Sequence, residues 1–258
     1  MKFYVTGDTH GDFTRMKYSE WTEDDALIIL GDAGFNYNLD KNDYYRQKAV
    51  HDKYPCYIYC IYGNHEQRPS KVEGLKMIDD PNVGGPVWIN PDFPRIRYFC
   101  EWGIYHFGEL RVLIIGGAYS VDKYYRLQTS KKWFPDEQLK WFEMRACLQN
   151  AKNYEFDLVL SHTCPYSWQP TDLFLNFIDQ NSVDNTMEKW MDEVANSIHW
   201  KLWLFGHYHK DRIELPHVEL FFCETEDLDS IFARWKKYDE TKELDWWLPL
   251  SPKMEVLK

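Results

Sequence analysis

The segment FYVTGDTHG, residues 3–11, begins with an apolar run and ends in glycine, aspartate and histidine. The run Phe3–Thr6 is rich in aromatic and β-branched side chains, which is typical of a buried strand. Asp8 and His10 follow it within a few residues, beside glycines that allow a sharp turn. Open α/β sheets bind their ligands at the carboxyl ends of the strands. The segment therefore predicts a strand that ends in metal-binding side chains.

Four further apolar runs are predicted strands, and each is followed within a few residues by a side chain able to bind a metal. The runs are Ala26–Leu30, Tyr57–Tyr62, Leu158–Leu160 and Leu202–Phe205. The side chains that follow them are Asp32, then Asn64 with His65, then His162, and finally His207 with His209. Five such coincidences indicate a single site where the strand ends meet.

Helical patterns alternate with these strands, which favours a largely parallel sheet. The predicted helices are Tyr44–Lys53, Asp136–Asn150 and Met187–Ser197. The middle of the chain predicts an antiparallel meander of Ile96–Phe99, Ile104–Phe107 and Arg111–Ile115, and a later hairpin joins Arg212–Leu215 to Val218–Phe222. We expect a mixed α/β fold, a two-sheet sandwich flanked by helices.

The domain organisation is predicted from what the sequence lacks. It contains no internal repeat and no Gly/Ser-rich or Pro-rich linker, so we expect a single domain over residues 1–258. Residues 224–258 are expected to form a C-terminal tail packed on that domain, beginning with a solvated acidic loop, Glu224–Asp229. The segment Asp245–Pro249 is expected to cover an edge of the core rather than to form an oligomer contact. The oligomeric state is left open.

Composition and charge exclude several classes of protein. The 258 residues are 44% hydrophobic and 28% charged, as in globular proteins, and 30 basic against 41 acidic residues give a net charge of −11. Such a surface repels a phosphate backbone, which disfavours long duplex nucleic acid as a partner. The longest apolar runs are too short to cross a membrane. With six cysteines in no paired pattern and no leader before Gly7, we expect a cytoplasmic protein with free thiols.

The predicted ligands are carboxylates, imidazoles and one amide, without a thiolate. This set suits Mn, Fe, Zn, Co or Ni better than a structural zinc centre. A carboxylate can bridge two cations, and two cations about 3.5–4 Å apart form the clamp used for in-line displacement at phosphorus. The ligand chemistry therefore favours a dinuclear hydrolytic centre.

The ordered motifs DxH, GD, GNHE, a lone His and GHxH resemble those of the calcineurin-like metallophosphoesterase superfamily. They extend from Asp8 to His209 in the order of that superfamily. The closest likeness is to small bacterial and phage members of unassigned substrate, whose characteristic segments resemble Gly116–Asp122, Leu160–Pro165 and Phe205–His209. The resemblance implies an αββα sandwich.

The resemblance also implies two divalent transition-metal ions, with Mn as the first expectation and Fe, Zn, Co or Ni as alternatives. One ion would be held by Asp8, His10 and His209, the other by Asn64, His162 and His207, with Asp32 bridging both. A bridging hydroxide would attack phosphorus. His65 would be the catalytic residue that faces the substrate, either stabilising transition-state charge or protonating the leaving oxygen.

The second motif departs from the phosphoprotein phosphatases of this superfamily. They usually have GDxxDRG, whereas this chain has Phe35 in place of the second aspartate and Asn36 in place of the arginine. This departure disfavours a protein phosphatase. Arg68 and Arg126 are both candidates for the missing substrate-binding cation, and spacing does not choose between them.

Three functions remain from the sequence. The first is a metal-dependent phosphoesterase acting on a small or flexible phosphomonoester. The second is a phosphodiesterase on nucleotides or short RNA or DNA ends, and the third is a non-catalytic scaffold that keeps the fold. The long segment Tyr166–Asp184 either caps the site or packs on the core, and Cys164 is expected to be a packed thiol.

Overall fold

Two mixed β-sheets packed face to face form the centre of the computed structural model, which describes residues 1–16, 20–244 and 248–256. Helices cover the outer faces, so the predicted mixed α/β sandwich is confirmed. Most of the predicted cover segment, residues 245–247, lies outside the described residues. In the described part of the chain no helix is long and apolar enough to span a membrane.

The first sheet has the order β13-β1-β2-β3-β6-β5-β4. Its strands are β1 (Lys2–Thr6), β2 (Asp25–Ile29), β3 (Tyr57–Cys60), β4 (Lys76–Asp80), β5 (Gly85–Ile89), β6 (Ile96–Phe99) and β13 (Thr225–Asp227). Strands β1, β2, β3 and β6 run parallel, whereas β4, β5 and β13 pair antiparallel with their neighbours. The parallel centre brings the carboxyl ends of β1, β2 and β3 to one edge.

The second sheet has the order β11-β12-β10-β9-β8-β7. Its strands are β7 (Trp102–Phe107), β8 (Leu110–Ile115), β9 (Glu155–Ser161), β10 (His199–Phe205), β11 (Arg212–Leu215) and β12 (Val218–Leu220). Strands β8, β9, β10 and β12 are parallel, and β7 and β11 are antiparallel to their neighbours. The predicted late hairpin is confirmed, although its second strand ends at Leu220.

The core has three layers of buried side chains. Alternate residues of β2 show why: Ile28 packs between the sheets, while Leu27 and Ile29 pack under the outer helix of the first sheet. Full burial of such a side chain contributes roughly 1.5–3 kcal/mol. The helices are α1 (Lys41–Lys53), α2 (Lys123–Gln128), α3 (Trp141–Ala151), α4 (Thr186–Ser197), α5 (Leu228–Thr241) and α6 (Pro252–Val256). Val50 of α1 packs on the first sheet, and Cys147 of α3 and Val194 of α4 pack on the second.

The predicted three-stranded meander is wrong in one strand. β7 and β8 pair antiparallel as expected, but Ile96–Phe99 lies in the other sheet, parallel to β3. The chain passes between the sheets through Cys100 and Glu101 alone. The physical reason is that β6 is buried on both faces, with Tyr98 in the outer core and Phe99 in the central one. A strand buried on both faces has to lie in the interior of a sheet. Its distance in sequence from β7 and β8 does not show which of the two sheets that is.

The expectation of a solvated loop at Glu224–Asp229 is also wrong. Thr225–Asp227 forms the edge strand β13 on β1, and the Asp227 carboxylate accepts the backbone N–H of Ser230 to begin α5. An edge strand tolerates charged residues because one side of it faces solvent, so its sequence resembles that of a loop. Ile231 and Trp235 of α5 then join the central core.

Candidate metal centre

The ligand loops lie side by side because backbone pairing continues past the strand ends. The His162 N–H donates to Ile115 O at 3.1 Å, and the Gly206 N–H donates to His162 O at 2.9 Å. On the first sheet the Leu30 N–H donates to Thr6 O in the same way. Residues that follow different strands are therefore brought to one place, as the sequence pattern predicts.

Four of the predicted ligands have a left-handed backbone. His10, Asp32, His207 and His209 have φ of +47°, +49°, +72° and +50°. Eight non-glycine residues of the described chain share this conformation, so half of them are predicted ligands. A non-glycine residue in this conformation costs roughly 1–3 kcal/mol, so it persists only where the surrounding structure holds it in place. Such strained residues are often found at functional sites.

Two glycines make room for ligands that come from other loops. A Cβ at Gly31, where φ is +100°, would lie 2.0 Å from His162 Nδ1, and one at Gly63 would lie 2.1 Å from Asp32 Oδ1. Real atoms do not approach so closely, so any other residue would push these ligands out of place. The two glycines thus explain why the motifs begin with that residue.

Asp8, His10 and His209 form a first cluster of ligand atoms. His10 Nε2 lies 2.9 Å from His209 Nε2, and Asp8 Oδ2 lies 3.2 Å and 3.8 Å from the same atoms of His209 and His10 respectively. The three atoms all lie within 4.8 Å of one another, close enough to ligate one cation. Burial lowers the pKa of His10 to about 4, so its imidazole is neutral and offers a lone pair at pH 7.

Asp32, Asn64 and His162 form a second cluster. Asn64 Oδ1 lies 2.9 Å from His162 Nε2, and Asp32 Oδ2 lies 3.7 Å from the same nitrogen. Asp8, Asp32 and His162 also place ligand atoms within 4.8 Å of one another, which joins the two clusters. The His207 ring stands 5.0 Å from that of His162, and burial lowers the pKa of His207 to about 3.

Hydrogen bonding fixes where the lone pairs of the second cluster point. A carbonyl only accepts, so the 2.7 Å contact with Leu30 O places the proton of neutral His162 on Nδ1 and the lone pair on Nε2. Asn64 Nδ2 donates to Ser120 Oγ, which in turn donates to Glu137 Oε2 at 2.6 Å. Asn64 therefore presents its oxygen to the lone pair of His162. Two electron-rich atoms 2.9 Å apart fit a shared cation.

The carboxylates are held in the same way. The backbone N–H of His207 donates to Asp8 Oδ1 and that of His65 donates to Asp32 Oδ1, both at 2.8 Å. The buried Oδ2 of Asp32 has no hydrogen-bond partner among the described residues. Burial and the neighbouring Asp8 raise the pKa of Asp32 well above its usual range. Adjacent buried carboxylates and neutral imidazoles are the donors that divalent transition metals take.

Comparison with known proteins agrees with this donor set. The family model described as calcineurin-like phosphoesterase matches residues 1–211. The chain belongs to the calcineurin-like phosphoesterase family. It is therefore a metal-dependent hydrolase, and more specifically a phosphoesterase. No curated protein matches the sequence significantly.

Three solved structures are similar to this chain at low identity. A phosphopantetheinyl hydrolase from Mycobacterium tuberculosis is 12% identical, with 94% of this chain and 93% of that one covered and a TM-score of 0.48. The 5′-nucleotidase from Candida albicans SC5314 is 16% identical, covering 86% and 45%, with a TM-score of 0.36. The sulfate thiohydrolase SoxB from Thermus thermophilus is 12% identical, covering 78% and 34%, with a TM-score of 0.31.

In this phosphoesterase His65 faces the second cluster and is paired with Arg126. His65 Nε2 lies 4.0 Å from Asp32 Oδ2 and 3.5 Å from Arg126 Nη2. Burial and Arg126 lower the pKa of His65 to about 2, which makes the ring neutral. Both carboxylate oxygens of Asp122 accept from Arg126 Nε, at 2.7 and 2.8 Å, and hold the guanidinium there.

The residues that replace the phosphatase motif have a structural role. Phe35 is fully buried and stacks on Phe13 at 5.0 Å in the outer core of the first sheet. Asn36 is also buried, and its carbonyl accepts the Gln67 N–H at 2.9 Å. At these two positions the chain therefore has buried side chains, and that of Phe35 belongs to the core.

Arg68 is buried and already fully engaged by other residues, which favours Arg126 of the two candidate cations. It is 3% exposed and donates to Asp136 O at 2.6 Å, to Glu143 Oε1 at 2.8 Å and to Gln138 O. The guanidinium holds the start of α3 instead. Spacing in the sequence could not separate Arg68 from Arg126, because only the fold decides which one turns toward His65.

Two pockets meet at Asp32 and His65. The apolar pocket, with a volume of about 320 Å³, has walls of Tyr119, Leu173, Phe174, Ile178, Val183 and Tyr208. The basic pocket, about 260 Å³, contains Arg46, Arg126 and Lys131 together with Tyr37. Sequence reasoning missed Arg46 and Lys131, since they stand outside every motif.

Two roles were predicted as alternatives for the segment Tyr166–Asp184, packing on the core and bordering the site, and different residues of the segment do each. Trp168 packs on Trp203 of the second sheet with ring centroids 5.1 Å apart, whereas Phe174 lines the apolar pocket. Cys164 is buried, and burial raises the pKa of its thiol well above the usual range. This agrees with a packed thiol, since a nucleophilic cysteine needs a low pKa.

Proposed function

We propose that the protein is a dinuclear phosphomonoesterase. One metal ion would be bound by Asp8, His10 and His209, and the other by Asn64, His162 and His207, with Asp32 shared between them. The observation that carries the proposal is the buried Oδ2 of Asp32, which faces imidazole nitrogens and has no partner in the described chain. Manganese is our first choice for both ions, with Fe, Zn, Co and Ni as alternatives.

When bound, two such ions lower the pKa of water and neutralise the phosphoryl charge. The protein contributes position: carboxylates locked by backbone N–H groups and the His162 imidazole fixed in one tautomer need little rearrangement. His65 is the group that would contact the phosphoryl oxygens. Because its ring is neutral and lies beside a cation, we assign it to hydrogen bonding with those oxygens rather than to protonation of the leaving group.

The charge of the basic pocket favours a monoester over a diester. Arg126 stands beside His65, and Arg46 and Lys131 line the same pocket. A terminal phosphate carries up to two negative charges at neutral pH and a diester only one. Arg46 and Arg126 are ion-paired with Asp43 and Asp122, and with Lys131 they leave a net positive charge next to the metal ligands, which suits the more highly charged group.

A direct assay separates the possibilities. The purified protein, stripped with chelator and reloaded with Mn²⁺, is given p-nitrophenyl phosphate and, separately, bis-p-nitrophenyl phosphate. We expect metal-dependent turnover with a higher kcat/KM for the monoester. Preference for the diester would replace monoesterase by phosphodiesterase. Absence of turnover on both by protein shown to hold two metal ions would favour the scaffold.

A further inference from the structure

The apolar pocket is shaped for an organic group rather than for phosphate. Its walls include the rings of Tyr119, Phe174 and Tyr208, and Phe174 and Tyr208 are nearly parallel, 17° apart with centroids at 6.4 Å. Tyr208 is also the residue between the predicted ligands His207 and His209. The pocket therefore begins where the metal centre ends. Its volume of about 320 Å³ lies within the range of small-molecule sites.

The same pocket contains a polar cluster of the buried Gln169 and Glu188 with the half-buried Asn185. Gln169 Nε2 donates to Asn185 Oδ1 at 3.1 Å, and Glu188 follows one turn later on α4. Glu188 is 3% exposed, and its Oε1 accepts from Thr163 Oγ1 at 3.3 Å. Its Oε2 is buried, and within the described ranges it finds no partner.

An unpartnered carboxylate oxygen is costly in such a place. A buried polar atom without a hydrogen bond costs about 1–3 kcal/mol, and more when charged. Burial raises the pKa of Glu188 to about 7, so at slightly alkaline pH this side chain is ionised while its Oε2 still has no donor among the described residues. A ligand that brings an N–H group would satisfy it.

We propose that this pocket binds the nucleoside part of a nucleoside monophosphate, whose phosphate lies at the metal centre. Aromatic and aliphatic walls receive the flat faces of a heterocyclic base, and the carboxylate of Glu188 accepts an N–H from its edge. Proteins that hold an isolated base combine these two contacts. The assignment names the substrate class of the phosphomonoesterase proposed above and rests on that function.

Other organic groups match the pocket less well. A lipid chain would leave Oε2 of Glu188 without a donor. A simple sugar would set its hydroxyls against the aromatic walls around Phe174. A base with a polar edge and apolar faces is complementary to both parts at once, and the ribose then joins it to a phosphate at Asp32 and His65.

The first test measures binding without catalysis. Metal-free protein is titrated calorimetrically at pH 8 with adenosine, guanosine, cytidine and uridine, which carry no phosphate. We expect saturable binding of at least one of them, weakened about ten- to hundred-fold in Glu188→Gln, as for loss of a charge-assisted hydrogen bond. Glu193→Gln on the exposed face of α4 is the matched control and should bind as the unmodified protein does. Absence of binding, or equal binding by Glu188→Gln, overturns the proposal.

The second test separates this proposal from the proposed function. With Mn²⁺ bound, the ratio of kcat/KM for the nucleoside monophosphate to that for glycerol 2-phosphate should be high and should fall at least ten-fold in Glu188→Gln. If glycerol 2-phosphate is hydrolysed equally well, the nucleoside assignment is wrong and the phosphoesterase stands. Nucleoside binding without hydrolysis of any ester would instead support the pocket assignment and contradict the enzyme.

Discussion

The ligand loops of the metal centre and the segment Tyr166–Asp184 beside it differ in how their backbones are held. The ligand loops are bonded strand to strand, and four of their residues have left-handed φ. The segment contains only short 3₁₀ turns at Tyr166–Trp168, Thr171–Leu173 and Gln180–Ser182, and Phe177 on it is 81% exposed. The two sheets thus hold the groups that react, while an irregular loop supplies part of the wall of the pocket that we assign to substrate choice.

This difference predicts two kinds of variant. Changes in the ligand loops should remove metal and rate for every substrate, because the loops support one another. Changes that line the apolar pocket should alter the order of preferred substrates and leave metal content as it is. The following predictions test that division.

The largest effect is expected from Asp32→Asn. The change removes the shared negative charge, so we expect loss of at least one metal ion and a fall in kcat of about 10³-fold or more. Metal analysis and the p-nitrophenyl phosphate assay check both parts. Asp24→Asn, an exposed aspartate before β2, is the matched control. Normal metal content and rate in Asp32→Asn would contradict the bridging role.

His65→Gln should lower the rate without removing metal. The ring lies 4.0 Å from Asp32 Oδ2 but belongs to neither ligand cluster, so we expect about 10²–10³-fold lower kcat with full metal content. Mass spectrometric metal analysis beside steady-state kinetics measures this. Equal loss of metal and rate would make His65 a ligand.

Arg126→Gln should weaken phosphate binding. We expect kcat/KM to fall about 10–100-fold, because one charge-assisted contact with a phosphate oxygen is lost. The exposed Arg145→Gln on α3 removes the same charge at a remote place and should have no such effect. If both variants lose activity to the same extent, Arg126 affects activity through the net charge of the protein and not through contact with the phosphate.

Ser120→Ala tests the support behind the ligands. Without Ser120 Oγ the amide of Asn64 is free to turn, and loss of such support typically lowers metal affinity about 10–100-fold. Competition with a fluorescent chelator gives the affinity. Ser70→Ala, remote from the centre, is the control. Unchanged affinity in Ser120→Ala would mean that the hydrogen bond from Asn64 to Ser120 does not orient the amide.

The smallest effect concerns folding and depends on pH. Glu188 has a pKa of about 7 in the folded state against an ordinary value of 4.5, so its ionisation lowers stability progressively from pH 4.5 to pH 7, costs nothing below that window and costs a constant amount above it. Glu188→Gln should therefore be about 1–3 kcal/mol more stable than the unmodified protein at pH 8 and equally stable at pH 4.5. Urea unfolding of metal-free protein measures the difference. A difference independent of pH would place the ionised carboxylate in contact with a donor.

The sequence predicts the ligand loops well, because each is a short motif at the end of one strand. Asp8, Asp32, Asn64 and His162 meet as the pattern requires. The partners behind them are harder to find: Glu137 supports Asn64 only through Ser120, and no local pattern joins residues so far apart in sequence.

Sheet membership and loop contacts were predicted less well. The strand Ile96–Phe99 is placed by its burial on both faces, which only the packed sandwich reveals. Glu188 lies in an ordinary amphipathic helix, and nothing in the sequence marks its carboxylate as buried beside a pocket. Such features depend on packing between distant segments.

The dinuclear centre itself is tested by measuring how many metal ions each chain binds and how turnover depends on that number. Metal-free protein is titrated with Mn²⁺, and bound metal and turnover of p-nitrophenyl phosphate are followed in the same samples. We predict two ions per chain at saturation, with turnover rising until the second ion is bound. Full turnover with one ion per chain, or none, would contradict a centre built around Asp32.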